Sequence, residues 1–188
     1  MANPEFDIQE HFFSQKESLL FFETLSREIR WEQKSISIFG KLRPEPRLTA
    51  WYGDAHAVYA YSGVSMKPHA WIPTLLEIKS RVEKNCESYF NSVLLNFYRN
   101  HHDSMGLHSD DEKELGEEPV IASVSFGESR RFIFKHRIQR KQPLLTHWLN
   151  SGSLLVMHGQ TQKLWKHGVP KETRPCGPRI NLTFRKIH

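Results

Sequence analysis

Arg179-Ile-Asn-Leu-Thr-Phe-Arg185 closes the chain, and its alternation decides the fold. In an extended strand residues i and i+2 project to the same face. Arg179, Asn181, Thr183 and Arg185 therefore line one side, and Ile180, Leu182 and Phe184 the other. On the outside of a protein such a strand keeps its polar side in water. In the wall of a barrel with the polar side inward, it carries two guanidiniums into an enclosed space, where they need an anionic guest. A dicarboxylate meets that need, because Arg grips carboxylates with paired, charge-assisted hydrogen bonds. Val93-Leu-Leu-Asn-Phe-Tyr98 repeats the theme, with Asn96 and Tyr98 opposite Val93, Leu95 and Phe97.

Upstream of the closing strand stand His108-Ser109-Asp110 and, far beyond them, a lone His167. An H-x-D pair plus one distant His is the ligand set of a 2-His-1-carboxylate facial triad, which holds Fe(II) on one face and leaves positions open for a co-substrate and O2. On a strand, His and Asp two residues apart reach the same metal. Eleven histidines make chance H-x-D matches easy, so the motif gains its weight from the polar strands beside it. A triad and a pair of inward arginines together suit 2-oxoglutarate.

The rest of the chain reads as strands behind two helices. Ser14-x-x-Glu17 is a capping box before Leu19, Leu20, Phe22, Leu25 and Ile29, which predicts a helix over 15–30. A second is expected from Pro73 to about residue 89, with Leu75, Ile78, Val82 and Cys86 on one face. Strands are expected at 93–98, 119–126, 131–136, 144–149, 153–158 and 179–187. Short strands at regular spacing indicate a sandwich or barrel. The expected fold is α+β: a double-stranded β-helix of the jelly-roll type, with two N-terminal helices packed on one sheet. One domain is expected over 1–188, with an N-terminal extension of helices and hairpins over 1–91 and a jelly-roll core over 92–188.

At 188 residues and 22.1 kDa the chain can bury a core without staples. Its two cysteines, Cys86 and Cys176, lack C-x-x-C spacing and are expected reduced. No stretch approaches the roughly twenty apolar residues of a membrane span, and the N-terminus carries no signal-like segment. The expectation is a soluble, intracellular monomer, cytoplasmic in a bacterium or nuclear in a eukaryote. The net charge of +5 is uneven, since residues 1–30 hold six acids and three bases. A basic body suits a polyanionic partner as well as plain solubility.

Between the helices, Ser35-Ile-Ser-Ile38 alternates as a strand and Phe39-Gly40-Lys41 reads as a hairpin tip. Turns favour small polar residues, so Phe39 either folds back onto the core or stands out as a wedge beside Lys34, Lys41, Arg43 and Arg47. Aromatic or aliphatic wedges pry into base stacks in some nucleic-acid-binding proteins.

Four segments carry a resemblance to a known family: Pro46–Asp54, His108–Glu112, Ile121–Gly127 and Arg179–Arg185. Together they resemble the AlkB family of Fe(II)/2-oxoglutarate dioxygenases, and within it the branch that repairs duplex DNA, from about residue 30 to the end. The resemblance implies that His108, Asp110 and His167 ligate iron and that Asn96, Tyr98, Arg179, Asn181, Thr183 and Arg185 surround 2-oxoglutarate. It places Tyr59, Tyr61, Asp111 and Glu112 around a flipped base, with Phe39 as the finger and Gly40, Lys41, Arg43 and Arg47 beside it on the DNA. Arg137, Arg140 and Lys141 are further candidate phosphate contacts. The implied activity is oxidative demethylation of bases such as 1-methyladenine or 3-methylcytosine, releasing formaldehyde, succinate and CO2. Methylated DNA is the expected partner, duplex before single strand. An RNA-directed demethylase, a 2-oxoglutarate oxygenase acting on protein or a small molecule, and a non-catalytic binder of damaged DNA are the alternatives. Two departures stand out: Glu172 dilutes the basic run Pro170–Arg174, and Tyr61 stands where the relatives carry Phe.

Overall fold

Two antiparallel sheets face each other in the computed structural model, which describes residues 3–38, 40–57, 59–61, 64–139 and 141–188. The larger has six strands: β1 (Phe6–Gln9), β4 (Leu48–Gly53), β7 (Ser92–Tyr98), β9 (Ile121–Gly127), β12 (Leu154–Met157) and β14 (Arg179–Arg185). Their order is β1-β12-β9-β14-β7-β4, with β14 at the centre between β9 and β7. The smaller sheet runs β11 (Leu145–Leu149), β10 (Arg130–His136), β13 (Trp165–Val169), β8 (Met105–His108). Two hairpins stand outside the sheets, β2 (Ser35–Ile38) with β3 (Lys41–Pro44) and β5 (Tyr59–Tyr61) with β6 (Val64–Met66). This is the expected jelly-roll. The large sheet takes β1 and β4 from residues before 92, so chain on both sides of that position builds it.

Helices α1 (Gln15–Glu28) and α2 (Pro73–Cys86) cover the outer face of the large sheet. Phe21 and Leu25 of α1 and Leu75, Ile78 and Val82 of α2 pack with Val93, Leu95, Val124, Ile180, Leu182 and Phe184 from the strands. The apolar side of β14 is thus spent on the helices, and its polar side has nowhere to point but between the sheets. There a second core of Ile121, Phe132, Phe134, Leu155, Met157 and Trp165 fills one part of the space. The remaining part is the site. Both cysteines are free thiols, and Cys86 packs at the edge of the helix–sheet core, as its position on α2 suggests. Among the described residues no helix is long and apolar enough to cross a membrane.

The differences from expectation have local causes. Both helices end early, α1 at Glu28 and α2 at Cys86, where Glu87 takes a left-handed conformation (φ 48°) that stops the helix. β1, β4, β8 and β13 are additions to the expected strands. β8 is four residues with a glycine, and β13 contains Lys166 and Gly168, so neither shows a clean two-residue alternation.

Ser14 caps α1 as the sequence predicts: its hydroxyl accepts from Glu17 N at 3.3 Å, and Glu17 Oε2 accepts from Ser14 N at 2.9 Å. Those bonds with Ser14, and then Arg81, hold the Glu17 carboxyl down to about 2. A depressed carboxylate contributes stability above its unfolded value that is lost as pH falls through the folded one. Ser14→Ala is therefore expected to cost about 1 kcal/mol at neutral pH. The cost shrinks as pH drops from 4.5 toward about 2. Urea unfolding across that range checks it, and a pH-independent cost would show that the box is not formed.

Candidate active site

The site is assembled from cross-strand register. On β14, Arg179 lies opposite Tyr98 and Asn181 opposite Asn96 on β7, while Asn181 and Thr183 face Ser125 and Ser123 on β9. On the small sheet, His167 of β13 pairs with His108 at the end of β8. Gly168 makes that approach possible, because a Cβ there would meet Met105 O at 2.9 Å and Gly106 O at 3.0 Å. The two sheets thus present a polar wall and a His pair to the same cavity. It is lined by His108, Asp110 and His167 together with Asn96, Tyr98, Arg179, Asn181, Thr183 and Arg185. All nine residues expected at the metal and co-substrate are brought together.

Asp110 does not lie on the strand with His108, contrary to the simple i, i+2 argument. β8 ends at His108 and Asp110 stands on the loop after it. That loop is pinned by Ser109 Oγ donating to Trp165 O at 2.8 Å and by Asp110 N donating to Gln162 Oε1 at 2.9 Å. The carboxylate still reaches the pair, with Oδ1 4.0 Å from His108 Nε2 and Oδ2 3.8 Å from His167 Nε2. Gln162 carries no signal in the sequence, since one amide in the four-residue helix Thr161–Leu164 has no pattern to mark it.

One ligand atom from each of the three lies within 4.8 Å of the others. His108 Nδ1 is 2.9 Å from Gly106 O, a contact that makes Nδ1 the protonated nitrogen and leaves Nε2 free to ligate. Burial first, then repulsion from His108, takes the His167 imidazole down to about 3, so it is neutral at neutral pH. Burial pushes Asp110 the other way, but Arg185 and the two histidines outweigh it and hold the carboxyl below its ordinary value. Arg185 Nη2 donates to Asp110 Oδ1 at 2.5 Å, while the buried Oδ2 has no hydrogen-bond donor among the described residues. Two imidazole nitrogens and an ionised carboxylate oxygen with an open lone pair are the donor set that Fe(II) takes. The residues fit the metal.

Arg179 fits the co-substrate. It is 1% exposed, and burial lowers its guanidinium to about 10, which leaves it charged at neutral pH. Nη2 donates to Ser125 Oγ at 2.9 Å and the guanidinium sits 5.3 Å from the Tyr98 ring, yet Nε and Nη1 have no acceptor among the described residues. A buried cation with two spare donors facing a cavity calls for a carboxylate.

The outer residues are placed less uniformly. Asp111 pairs with Arg137 at 2.6 Å, so both of these expected nucleic-acid contacts are engaged with each other. Glu112 follows, with a buried Oε2 that has no donor among the described residues. Tyr59 and Tyr61 stand on β5, in register with Met66 and Val64, and their side chains lie outside the description. Phe39 and Arg140 lie outside the described residues. At the hairpin tip Ile38 pairs with Lys41, and Gly40 has φ 74°, the conformation a two-residue turn needs there. Lys41 and Arg43 are exposed. Arg47 departs from expectation: it is turned inward, its side chain 12% exposed, paired with Glu45 and donating to Asn96. Its guanidinium is thus engaged by Glu45 and by Asn96 of the sheet. Glu172, by sequence a dilution of a basic run, is the counter-ion of Arg131 at 2.9 Å and of the fully buried Arg130 at 3.6 Å.

Removing one ligand, by His108→Ala or Asp110→Ala, is expected to abolish tight Mn(II) binding as read by calorimetry. Arg179→Ala is expected to raise the Kd for 2-oxoglutarate about 10- to 100-fold, the loss of one charged hydrogen-bond partner. An unchanged Kd would mean that Arg179 does not meet the co-substrate.

Comparison with known proteins agrees with this geometry. The family model described as the 2OG-Fe(II) oxygenase superfamily matches residues 6–185. The mouse protein named alpha-ketoglutarate-dependent dioxygenase alkB homolog 3 is 42% identical over 189 residues, covering 94% of this chain and 64% of its own length. This chain therefore spans a little under two thirds of that relative. Mouse DNA oxidative demethylase ALKBH2 is 40% identical over 184 residues, covering 93% of this chain and 77% of its own. The solved structure of OsALKBH1 superimposes with a TM-score of 0.68 over 99% of this chain at 18% identity, a likeness of fold. The chain belongs to the 2OG-Fe(II) oxygenase superfamily and, within it, to the AlkB family.

Proposed function

We propose that this protein is an Fe(II)- and 2-oxoglutarate-dependent dioxygenase that demethylates N-alkylated bases in nucleic acid, with methylated duplex DNA as the preferred substrate. The observation that carries the oxygenase reading is the shared cavity, lined both by a His-Asp-His ligand set and by a buried arginine with two donors unmet among the described residues. DNA enters through similarity to mouse DNA oxidative demethylase ALKBH2.

When bound, iron with 2-oxoglutarate and O2 supplies the oxidising power to hydroxylate an N-methyl group, which then leaves as formaldehyde beside succinate and CO2. The chain's own groups bind and aim. Arg179 receives the far carboxylate, with Ser125 and Tyr98 fixing its plane. Arg185 holds Asp110 through Oδ1 and leaves Oδ2 for the metal. The apolar packing of Phe132 against His167, ring centroids 5.4 Å apart, keeps water from one side of that ligand. Bases methylated at their pairing edge cost less to extrude than normal ones, so selection begins before oxidation. Tyr59, Tyr61, Asp111 and Glu112 are the groups proposed to receive the base. Phe39 is proposed to fill the gap it leaves, with Lys41 and Arg43 on the flanking phosphates.

Mass spectrometry of 1-methyladenine oligonucleotides, duplex and single-stranded, after incubation with Fe(II) and 2-oxoglutarate tests the reading. Demethylation with matched succinate release is expected. Succinate release with no change in either oligonucleotide would remove nucleic acid as substrate. Phe39→Ala is expected to cut duplex repair about tenfold or more, since aromatic stacking on a base is worth roughly 1–3 kcal/mol, and to spare the single strand. Equal loss on both substrates would show that Phe39 is not a finger. Neutralising Lys41 and Arg43 is expected to flatten the log–log salt dependence of DNA affinity by about 0.9 for each phosphate left without its cation. An unchanged slope would show that the hairpin does not meet phosphates.

A further inference from the structure

Arg47 is, among the described residues, an expected phosphate contact that the fold draws inward to the co-substrate wall, and its partners there give it a different role. An asparagine amide presents an acceptor on one side and donors on the other, and its neighbours decide which way it faces. A guanidinium can only donate. Arg47 Nε lies 2.8 Å from Asn96 Oδ1, so the amide oxygen is turned to Arg47 and the NH2 group to Asn181 Oδ1, 3.5 Å away among the residues that line the cavity. Asn181 Nδ2 donates onward to Ser123 Oγ at 2.7 Å and to Val124 O at 3.1 Å. The donors run in one direction, from Arg47 across the cavity wall. Without Arg47 the Asn96 amide is free to flip and to present its oxygen to an incoming carboxylate.

The other end of this chain of bonds is the hairpin. Arg47 Nη2 forms an ion pair with Glu45 Oε2 at 3.2 Å, and Glu45 N donates a hydrogen bond to Lys34 O at 2.8 Å while Gln33 Nε2 donates to Glu45 O at 3.0 Å. These bonds close the base of the β2–β3 hairpin. Between the two, Pro46 O accepts from Ser104 N at 2.8 Å, next to the start of β8 and hence to the strand that ends in His108. A short connection therefore joins the exposed hairpin to the wall of the cavity.

We propose that Arg47 is a positioning residue that turns the donor face of Asn96 toward 2-oxoglutarate and couples co-substrate affinity to the seating of the β2–β3 hairpin. The proposal rests on the reading of the cavity as the 2-oxoglutarate site. Coupling is reciprocal: nucleic acid that seats the hairpin tightens 2-oxoglutarate, and 2-oxoglutarate tightens nucleic acid by the same factor.

The test is calorimetric titration of the Mn(II)-loaded chain, which binds without turnover, with 2-oxoglutarate in the presence and absence of a 1-methyladenine duplex. For the wild type the duplex is expected to lower the Kd by about fivefold or more, the lower end of ordinary coupling. Arg47→Met is expected to raise the Kd about tenfold, the effect of removing one hydrogen bond that fixes a polar group. It is also expected to leave the same Kd with and without duplex. Arg47→Lys, which can still donate to Asn96 but cannot fork to Glu45, is expected to recover part of the affinity. Glu45→Gln keeps Arg47 but loosens its anchor, and is expected to weaken coupling by a smaller factor; these two variants carry the test if Arg47→Met does not fold. Wild-type affinity and coupling in all the variants that fold would overturn the proposal while leaving the cavity assignment intact. Failure of the wild type to bind 2-oxoglutarate would overturn both.

Discussion

Arg179 carries a full charge into the space between two sheets, where it is 1% exposed and has Ser125 Oγ as an acceptor. Burying a charge costs several kcal/mol unless it is paired and its hydrogen bonds are met. Here Nε and Nη1 have no acceptor among the described residues, and the side chain lines the cavity. The fold meets the cost with position: β14 is the central strand of the large sheet, held on both sides by seven- and six-residue registers with β7 and β9. Its apolar face is locked by two helices. An arginine on such a strand cannot swing to solvent. The rest of the site follows from that constraint, because an anion drawn to Arg179 sits in the same cavity as the three candidate metal ligands.

Charge is arranged around that cavity so that each group keeps one direction open. Asp110 gives one oxygen to Arg185 and keeps the other. His108 fixes its Nδ1 on Gly106 O and keeps Nε2. Arg130, fully buried beside Tyr98, spends its donors on Asn100 O, Asp103 O and Pro170 O. It ties the loop before β8 to the loop after β13, and so steadies the two strands that carry the histidines. Two buried arginines thus stand near one tyrosine: Arg130 is held by backbone carbonyls and lies 3.6 Å from Glu172, whereas Arg179 donates to Ser125 Oγ and lines the cavity.

The sequence discloses the site better than it discloses the fold around it. Arg179, Asn181 and Thr183 are visible because a strand buried on both faces with polar residues on one of them breaks the ordinary rule, and that break is local. The triad is legible from spacing, although the geometry that unites it is not a single strand but a loop held by Ser109 and Gln162. β8 and β13 are hidden because their glycines and lysines serve close approach and solvent, which erases alternation. Arg47 is misleading for a similar reason. A basic residue after a Pro-Glu-Pro turn beside other basic residues looks like surface charge, and nothing local shows that Asn96, far along the chain, waits for it. Glu172 likewise reads as a diluted basic run until Arg130 and Arg131 are seen across the sheet.

The central claim is that the cavity recognises a dianion through a buried arginine as well as through the metal. It is tested most directly by comparing the melting temperature of the Mn(II)-loaded protein with 2-oxoglutarate and with 2-oxobutyrate, which has the same keto acid end and no far carboxylate. At a hundredfold excess over its Kd, 2-oxoglutarate is predicted to stabilise by about 2.7 kcal/mol and raise Tm by roughly 5–10 °C, with 2-oxobutyrate at the same concentration giving a much smaller rise. Equal shifts from the two acids would contradict the account.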